Sequence, residues 1–445
     1  MTQSLLDVWP VFVDDVGDEG DGNDRKDSLE GNLEFAFSHE EIISYLCYNL
    51  GMKYLAVLGR QPEISLAEIS ALFSRVSFVG KTLATFCADE KPNIDHLGGS
   101  LELAEELAVS PLEFLQNLPE GKITLGVSDY SEHTSARKAQ GEALKLKKIL
   151  TRHGRSVRVV ENKTAALATA TSLHTGLSGA KPNKVELILV DGNWWHVIGV
   201  QDIDAYARRD QARPARDAKV GMLPPKLAQI LINLCGPLPE GSRILDPFCG
   251  TGVVLQEALL MGYKAYGTDL EQRMVDYTER NLEWLLKSEN GFLSAFRSAA
   301  ARELAPAAHG DGPAGRGREK PFQVSVGDAT SFSWEQPIDA VACEGFLGQP
   351  MSLPPVEIKL KAEKQRCGAI VVGFLKNLST QIKSGTPVVM AIPAWLRPDG
   401  KYSRLEILDE VAKLGYNLLN QSREGLLYYR EGQVVARDII ILRKK

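Results

Sequence analysis

The 445-residue chain lacks the marks of several common protein classes. No apolar run approaches the ~18 residues of a membrane-spanning helix, and the acidic first residues do not read as a signal peptide. Six scattered cysteines, Cys47, Cys87, Cys235, Cys249, Cys343 and Cys367, include no C-x-x-C pair. That argues against a zinc site or disulfide framework and fits a reducing, cytoplasmic compartment. An overall excess of basic charge is missing too, the net charge being -6. This number hides an asymmetry, because residues 1–50 hold twelve Asp and Glu against Arg25 and Lys26. The remaining 395 residues are therefore at about +4, mildly basic, and nucleic acid stays open as a partner. Apolar content of 44% and charged content of 24% are those of an ordinary globular protein, and the length predicts two or three domains.

The most informative stretch is Arg243 to Asp269, RILDPFCGTGVVLQEALLMGYKAYGTD. A short apolar strand ends on Asp246, a turn carries Gly250 and Gly252, and a helix closes at Gly262. A second strand then delivers Asp269 at its carboxyl end. In an open α/β sheet that edge takes nucleotide-like ligands, and an acid about 20 residues beyond the first turn can hold ribose hydroxyls. The third glycine of G-x-G-x-x-G is absent, since Val253, Val254 and Leu255 follow Gly252. That disfavours NAD or FAD, whose pyrophosphate needs close backbone approach. The D-P-F-C-G-T-G wording, Asp246, Pro247, Phe248 and onward, resembles the first motif of S-adenosylmethionine (SAM) methyltransferases acting on exocyclic amines.

Read in order, Asp14 to Asp27 is rich in Asp and Gly and predicts disorder, so residues 1–51 are expected to be an acidic extension, with Met52 the natural start. KYLAVLG then predicts a strand and SLAEISALF a helix, in a first domain over 52–115. A second domain over 116–202 contains ITLGVSDY, a helix from Ser135 to Leu150, and a strand pair around Asp191–Gly192–Asn193. Arg137, Lys138, Lys145 and Lys148 fall in one stripe of that helix at 100° per residue. A charged stripe is often only a solvated face, but fixed basic charge is also what a phosphate backbone requires. The connector over 203–225 adds Arg208, Arg209, Arg213 and Arg216, and Pro225 opens a helix with Leu227, Ile230, Leu231 and Leu234 on its buried side.

YLAVLGRQPEISLAEISALF, the R-R-D, R-P-x-R-D and G-M-L-P-P-K-L-A-Q wording of the connector, and DPFCGTG together resemble the THUMP-domain tRNA guanine-N2 methyltransferases of archaeal and eukaryotic type. The resemblance runs from about Met52 to the C-terminus. It implies an α/β fold, with a ferredoxin-like and THUMP RNA-binding half before a Rossmann-like SAM methyltransferase domain over 226–445. It implies that the THUMP unit engages the tRNA acceptor end, and that Asp246, Pro247, Phe248, Gly250, Gly252 and Asp269 belong to the SAM site. Asp328 and Ala329, at the end of FQVSVGDATSF, would contact the adenine. Before them, thirteen of the 21 residues from Ser298 to Arg318 are Ala, Gly or Pro, which predicts a flexible insertion over 298–320.

The fourth strand end departs from the family. Where relatives carry D/N-P-P-Y/F, this chain reads Glu344–Gly345–Phe346–Leu347–Gly348. In the family pattern, the acid or amide and a backbone carbonyl accept the two amine protons, the prolines stiffen that carbonyl, and an aromatic ring stacks on the base. No metal is needed, because methyl transfer rests on orientation and charge placement. Glu344 can accept a proton bond, Gly345 can offer its carbonyl and Phe346 a stacking face, but both prolines are gone.

The expected activity is SAM-dependent methylation of a guanosine N2 amine in tRNA. Two other readings stay open: a non-catalytic SAM- and tRNA-binding protein, and an amino-group DNA methyltransferase. Cys343 also invites a thiolate mechanism on pyrimidine carbon-5, against the plainer reading of a small apolar strand-end residue. A small activating subunit stays open as a further partner.

Overall fold

The computed structural model describes residues 51–217, 222–287, 320–420 and 426–445. The acidic extension before residue 51, Lys219, Gly221 and nearly all of the expected insertion lie outside them.

The N-terminal half is one eight-stranded sheet in the order β2-β3-β1-β4-β8-β7-β5-β6. Strand β1 (Met52–Leu58) leads into helix α1 (Pro62–Leu72), then β2 (Ser74–Val79), β3 (Leu83–Ala88) and β4 (Ser100–Glu106). A proline in its first turn starts α1, and Ile64, Leu66 and Ile69 face the core. A single 3-10 turn, Ile94–His96, replaces the second helix of a ferredoxin-like βαββαβ unit, whose 4-1-3-2 strand order is kept. After α2 (Pro111–Gln116) come β5 (Ile123–Asp129), α3 (Ala136–Arg152), β6 (Val157–Val159), α4 (Thr169–Thr175), β7 (Lys184–Val190) and β8 (Asn193–Val200). Ser135 caps α3 by accepting from the Lys138 amide at 3.3 Å. The β7–β8 hairpin turns at Asp191 and Gly192, both with positive φ, as a two-residue turn requires. Strand β8 then returns to pair antiparallel with β4, so the sheet runs without a break across residue 115.

Helix α5 (Ile203–Gln211) and helix α6 (Pro225–Asn233) lead into a second sheet. Its parallel strands are β9 (Arg243–Asp246), β10 (Lys264–Asp269), β11 (Phe322–Val326), β12 (Ala340–Glu344) and β13 (Pro387–Leu396). Helix α7 (Val253–Leu260) joins β9 to β10, α8 (Gln272–Lys287) follows β10, and α9 (Glu357–Ser379) precedes β13. The short strand β14 (Tyr402–Arg404), helix α10 (Leu408–Lys413) and strands β15 (Tyr416–Leu418), β16 (Leu427–Tyr428) and β17 (Val435–Lys444) complete it. The order β11-β10-β9-β12-β13-β17-β15 puts antiparallel β17 between β13 and β15. Residues 402–404 pair with β13, and the helix that follows is confined to Leu408–Lys413.

One apolar cluster fills the α9 side of this sheet, and another fills the side covered by α6, α7 and α1. The two halves meet at a buried polar knot. Glu68 of α1 accepts from the amides of Gly98 and Gly99 at 2.9 and 2.8 Å, and from Asn233 Nδ2 of α6 at 2.7 Å.

Candidate active site

Strand order reverses beside β9: the chain goes from β9 outward to β10 and β11, then returns to the other flank as β12. Such a switch point opens a crevice at the carboxyl ends of the strands. Asp246 ends β9, Asp269 ends β10 and Glu344 ends β12, so three acids from three strands reach one edge. Asp246 is buried, accepts from the Phe248 amide at 3.1 Å, and is pushed well up in pKa by burial, with Asp269 and Glu344 adding to the rise.

The first turn is held from behind. Gly250 donates its amide to Asp269 Oδ2 at 2.9 Å, and the Glu271 amide meets Oδ1 at 3.0 Å. Gly252 has φ +81, and a Cβ there would come within 2.8 Å of Thr278 Cγ2. Only glycine fits so tight a left-handed start to α7. Thr278 Oγ1 donates to the Gly250 carbonyl at 2.8 Å, and Asn281 Nδ2 binds the carbonyls of Thr251 and Ala215, both at 2.9 Å. Helix α8 thus clamps both the turn and the connector. Phe248 packs edge-on to Phe374, with ring centroids 5.3 Å apart. Asp328 is exposed after β11, and Thr330 binds its Oδ1 through amide and hydroxyl, holding the carboxyl below its usual pKa. The adjoining Ala329 is buried.

Glu344 does not stand alone. Arg437 Nε of β17 donates to Glu344 Oε1; the arginine is buried, and Glu344 keeps a partly exposed side chain. Burial raises the Glu344 carboxyl, and the guanidinium pulls it back. Alternation along β12 and β17 puts both residues on the face covered by α6 and α7, in phase with Ala342 and Ile439. Gly345 donates its amide to the Ala391 carbonyl at 2.9 Å, and Phe346 is half-buried with the Arg366 guanidinium 4.8 Å over its ring. Arg437 and Arg366 were not foreseen. An Arg437–Asp438 pair directly before the apolar run Ile439 to Leu442 was the available signal. Cys343 and Cys249 are buried and their thiols are pushed well up by burial, which opposes a thiolate role.

The basic residues divide. Arg137, Lys138, Lys145 and Lys148 of α3 are exposed, as are Arg208 and Arg216. Lys145 meets Glu142 at 2.6 Å, a surface pair that water screens. Two expectations need correcting. Arg209 is fully buried, with Nε and Nη2 bonded to the Glu257 carboxylate at 2.8 and 3.2 Å. Arg213 is buried too, 3.9 Å from Asp210 and 3.1 Å from Met222 Sδ. Neither has a route to a phosphate.

Residues 213–308 match the family model for the RMKL-like methyltransferase domain (UPF0020). That stretch takes in β9, α7, β10 and α8, the elements that build the first turn. The chain is 28% identical over 189 residues to a tRNA (guanine(10)-N2)-dimethyltransferase of Methanothermobacter thermautotrophicus, covering 42% of this chain and 44% of that protein. The like-named protein of Pyrococcus abyssi is 27% identical over 239 residues, 52% of this chain and 68% of the relative. The match thus spans less than half the length of the first of these relatives. Among solved structures, TrmN from Thermus thermophilus aligns over 88% of this chain and 100% of its own, at 17% identity and a TM-score of 0.39.

Proposed function

We propose that the protein transfers a methyl group from SAM to the exocyclic N2 amine of a guanosine in tRNA. The observation that carries this reading is the convergence of Asp246, Asp269 and Glu344 at the switch point, with the glycine turn between the first two. The names of the two relatives supply the substrate class.

The donor set suits SAM. Asp269 uses each oxygen once within the protein and keeps acceptor capacity for ribose hydroxyls. Asp328 keeps Oδ2 for the adenine amine, and the Ala329 amide would meet the ring. When bound, SAM supplies an electrophilic methyl on its sulfonium. The protein's own task is then to orient a weakly nucleophilic amine. Glu344 Oε2 would accept one amine proton while Arg437 fixes Oε1, and the Gly345 carbonyl would accept the other. Phe346 would stack the base on the ring face away from Arg366. The arginine substitutes for the stiffness that the two missing prolines would give. The exposed cations Arg137, Lys138, Lys145, Lys148, Arg208 and Arg216, with the unit over 116–202 acting as a THUMP domain, would position tRNA through phosphates without reading sequence.

The test is transfer of labelled methyl from SAM to unmodified tRNA transcripts, wild type beside Glu344→Ala, followed by nucleoside analysis. N2-methylguanosine from wild type, reduced about a hundredfold or more in the variant, is expected for loss of a transition-state acceptor. A different methylated nucleoside would refute the guanine assignment. A Glu344 already bonded to Arg437 is also what a retired site would show. SAM and tRNA binding without transfer would select that reading.

A further inference from the structure

Between the two halves lies a cleft of about 540 Å³ that none of the functional residues named above lines. One wall is the β1–α1 turn with Arg60 and Gln61, another is the start of α6 with Lys226, and the third is the β16–β17 hairpin with Tyr428, Tyr429 and Arg430. Three cations from three separate elements therefore line one space, Lys226 Nζ also donating to Gln201 Oε1, and among the described residues Asp210 is the only carboxylate lining it. Asp210 sits 3.9 Å from Arg213. Burial holds the Lys226 ammonium below its usual pKa, and Arg209 and Arg60 push in the same direction. Such a gathering of like charge is a cost to the fold alone and a gain to an anion. Helices α1 and α6 both begin on the cleft with a proline and no side-chain cap, adding the positive ends of two helix dipoles.

The third wall is aromatic. Tyr429 is 42% exposed and braced by Tyr402, with ring centroids 5.1 Å apart, so it offers a fixed face to solvent. The same hairpin adjoins the acceptor site, because Tyr428 pairs with Arg437, whose guanidinium holds Glu344. Gln61 Nε2 donates to the Leu427 carbonyl at 2.8 Å and ties this wall to the N-terminal half.

We propose that this cleft binds a nucleotide of the RNA substrate beside the target, with Arg60, Lys226 and Arg430 on its phosphates and Tyr429 stacked on a base. The inference rests on the RNA substrate proposed above and adds a contact site to it. Phosphate cations supply salt-dependent affinity, whereas an aromatic platform holds a base without regard to its identity.

Arg60, Tyr429 and Arg430 are exposed, so their alanine variants separate contact from folding, with the thermal midpoint as a check. The probe is an unmodified tRNA transcript, its retention measured across a salt series. Arg60→Ala and Arg430→Ala should each weaken binding and flatten the plot of log affinity against log salt by about one. Tyr429→Ala should weaken binding about fivefold or more without changing that slope. Unchanged affinity and slope in both arginine variants would overturn the proposal. Guanosine monophosphate is the second probe. Its binding by wild type, lost in Arg60→Ala while the tRNA slope stays put, would assign the cleft to a free nucleotide and also overturn it. Methyl transfer to the same transcripts separates the two claims. Binding that depends on Arg60 without transfer leaves the cleft standing and removes the enzyme, whereas wild type that neither binds nor methylates tRNA removes both.

Discussion

Arg209 and Arg208 are neighbours in sequence with opposite duties. Arg209 is sealed in the interior against Glu257, so removing it strands a buried carboxylate. Arg209→Ala is expected to cost about 3–5 kcal/mol in denaturant unfolding, whereas the exposed Arg208→Ala should stay within about 0.5 kcal/mol. Similar losses from both would contradict the buried pair. Arg437 acts on Glu344 through a charge that favours the ionised carboxylate. Arg437→Met removes that charge, so Glu344 should titrate at higher pH. The acid limb of the transfer-rate profile should then move to higher pH, with partial return in Arg437→Lys. A profile that only falls in height would mean that Arg437 holds the strands together and no more. The sequence hid both pairings for one reason: their partners lie 48 and 93 residues away. A clue did exist in VVLQEALL, where Glu257 interrupts an apolar helix and, if buried, demands a cation.

Local elements were more legible. Strand, glycine turn and helix around Asp246 and Asp269 follow from chemistry that acts over a few residues, and β9, α7 and β10 formed as the residues predict. Contacts between elements were not readable in this way. Glu68 lies within SLAEISALF as an ordinary helix acid, yet it is fully buried against Gly98, Gly99 and Asn233. Burial lifts its carboxyl from the usual 4.5 to about 7. In that interval the folded chain keeps a proton that the unfolded chain has released. The contribution is therefore full below about pH 4.5 and lost as pH rises to about 7. Thermal midpoints of wild type and Glu68→Gln should show the wild type losing ground to the variant across that window. Parallel curves would refute an elevated Glu68.

For the whole molecule, the unforeseen feature is long-range pairing. The residues around Asp191–Gly192–Asn193 predict β8 as a strand, but not that it pairs with β4 about 100 residues earlier, since no local pattern specifies a partner. A fragment of residues 52–115 would leave the β4 edge open, and an open edge templates association. Light scattering should show it aggregating, whereas a fragment of residues 52–202 keeps β8 and should remain monodisperse. Equal behaviour of the two would mean that the β4–β8 seam contributes little.

That seam also sets the unit of inheritance. A gene fusion or deletion ending between β4 and β5 would sever a sheet, whereas one ending after Val200 would cross a single connector. The two small N-terminal units are thus expected to travel between proteins as one cassette, reassorted with other catalytic partners together or not at all.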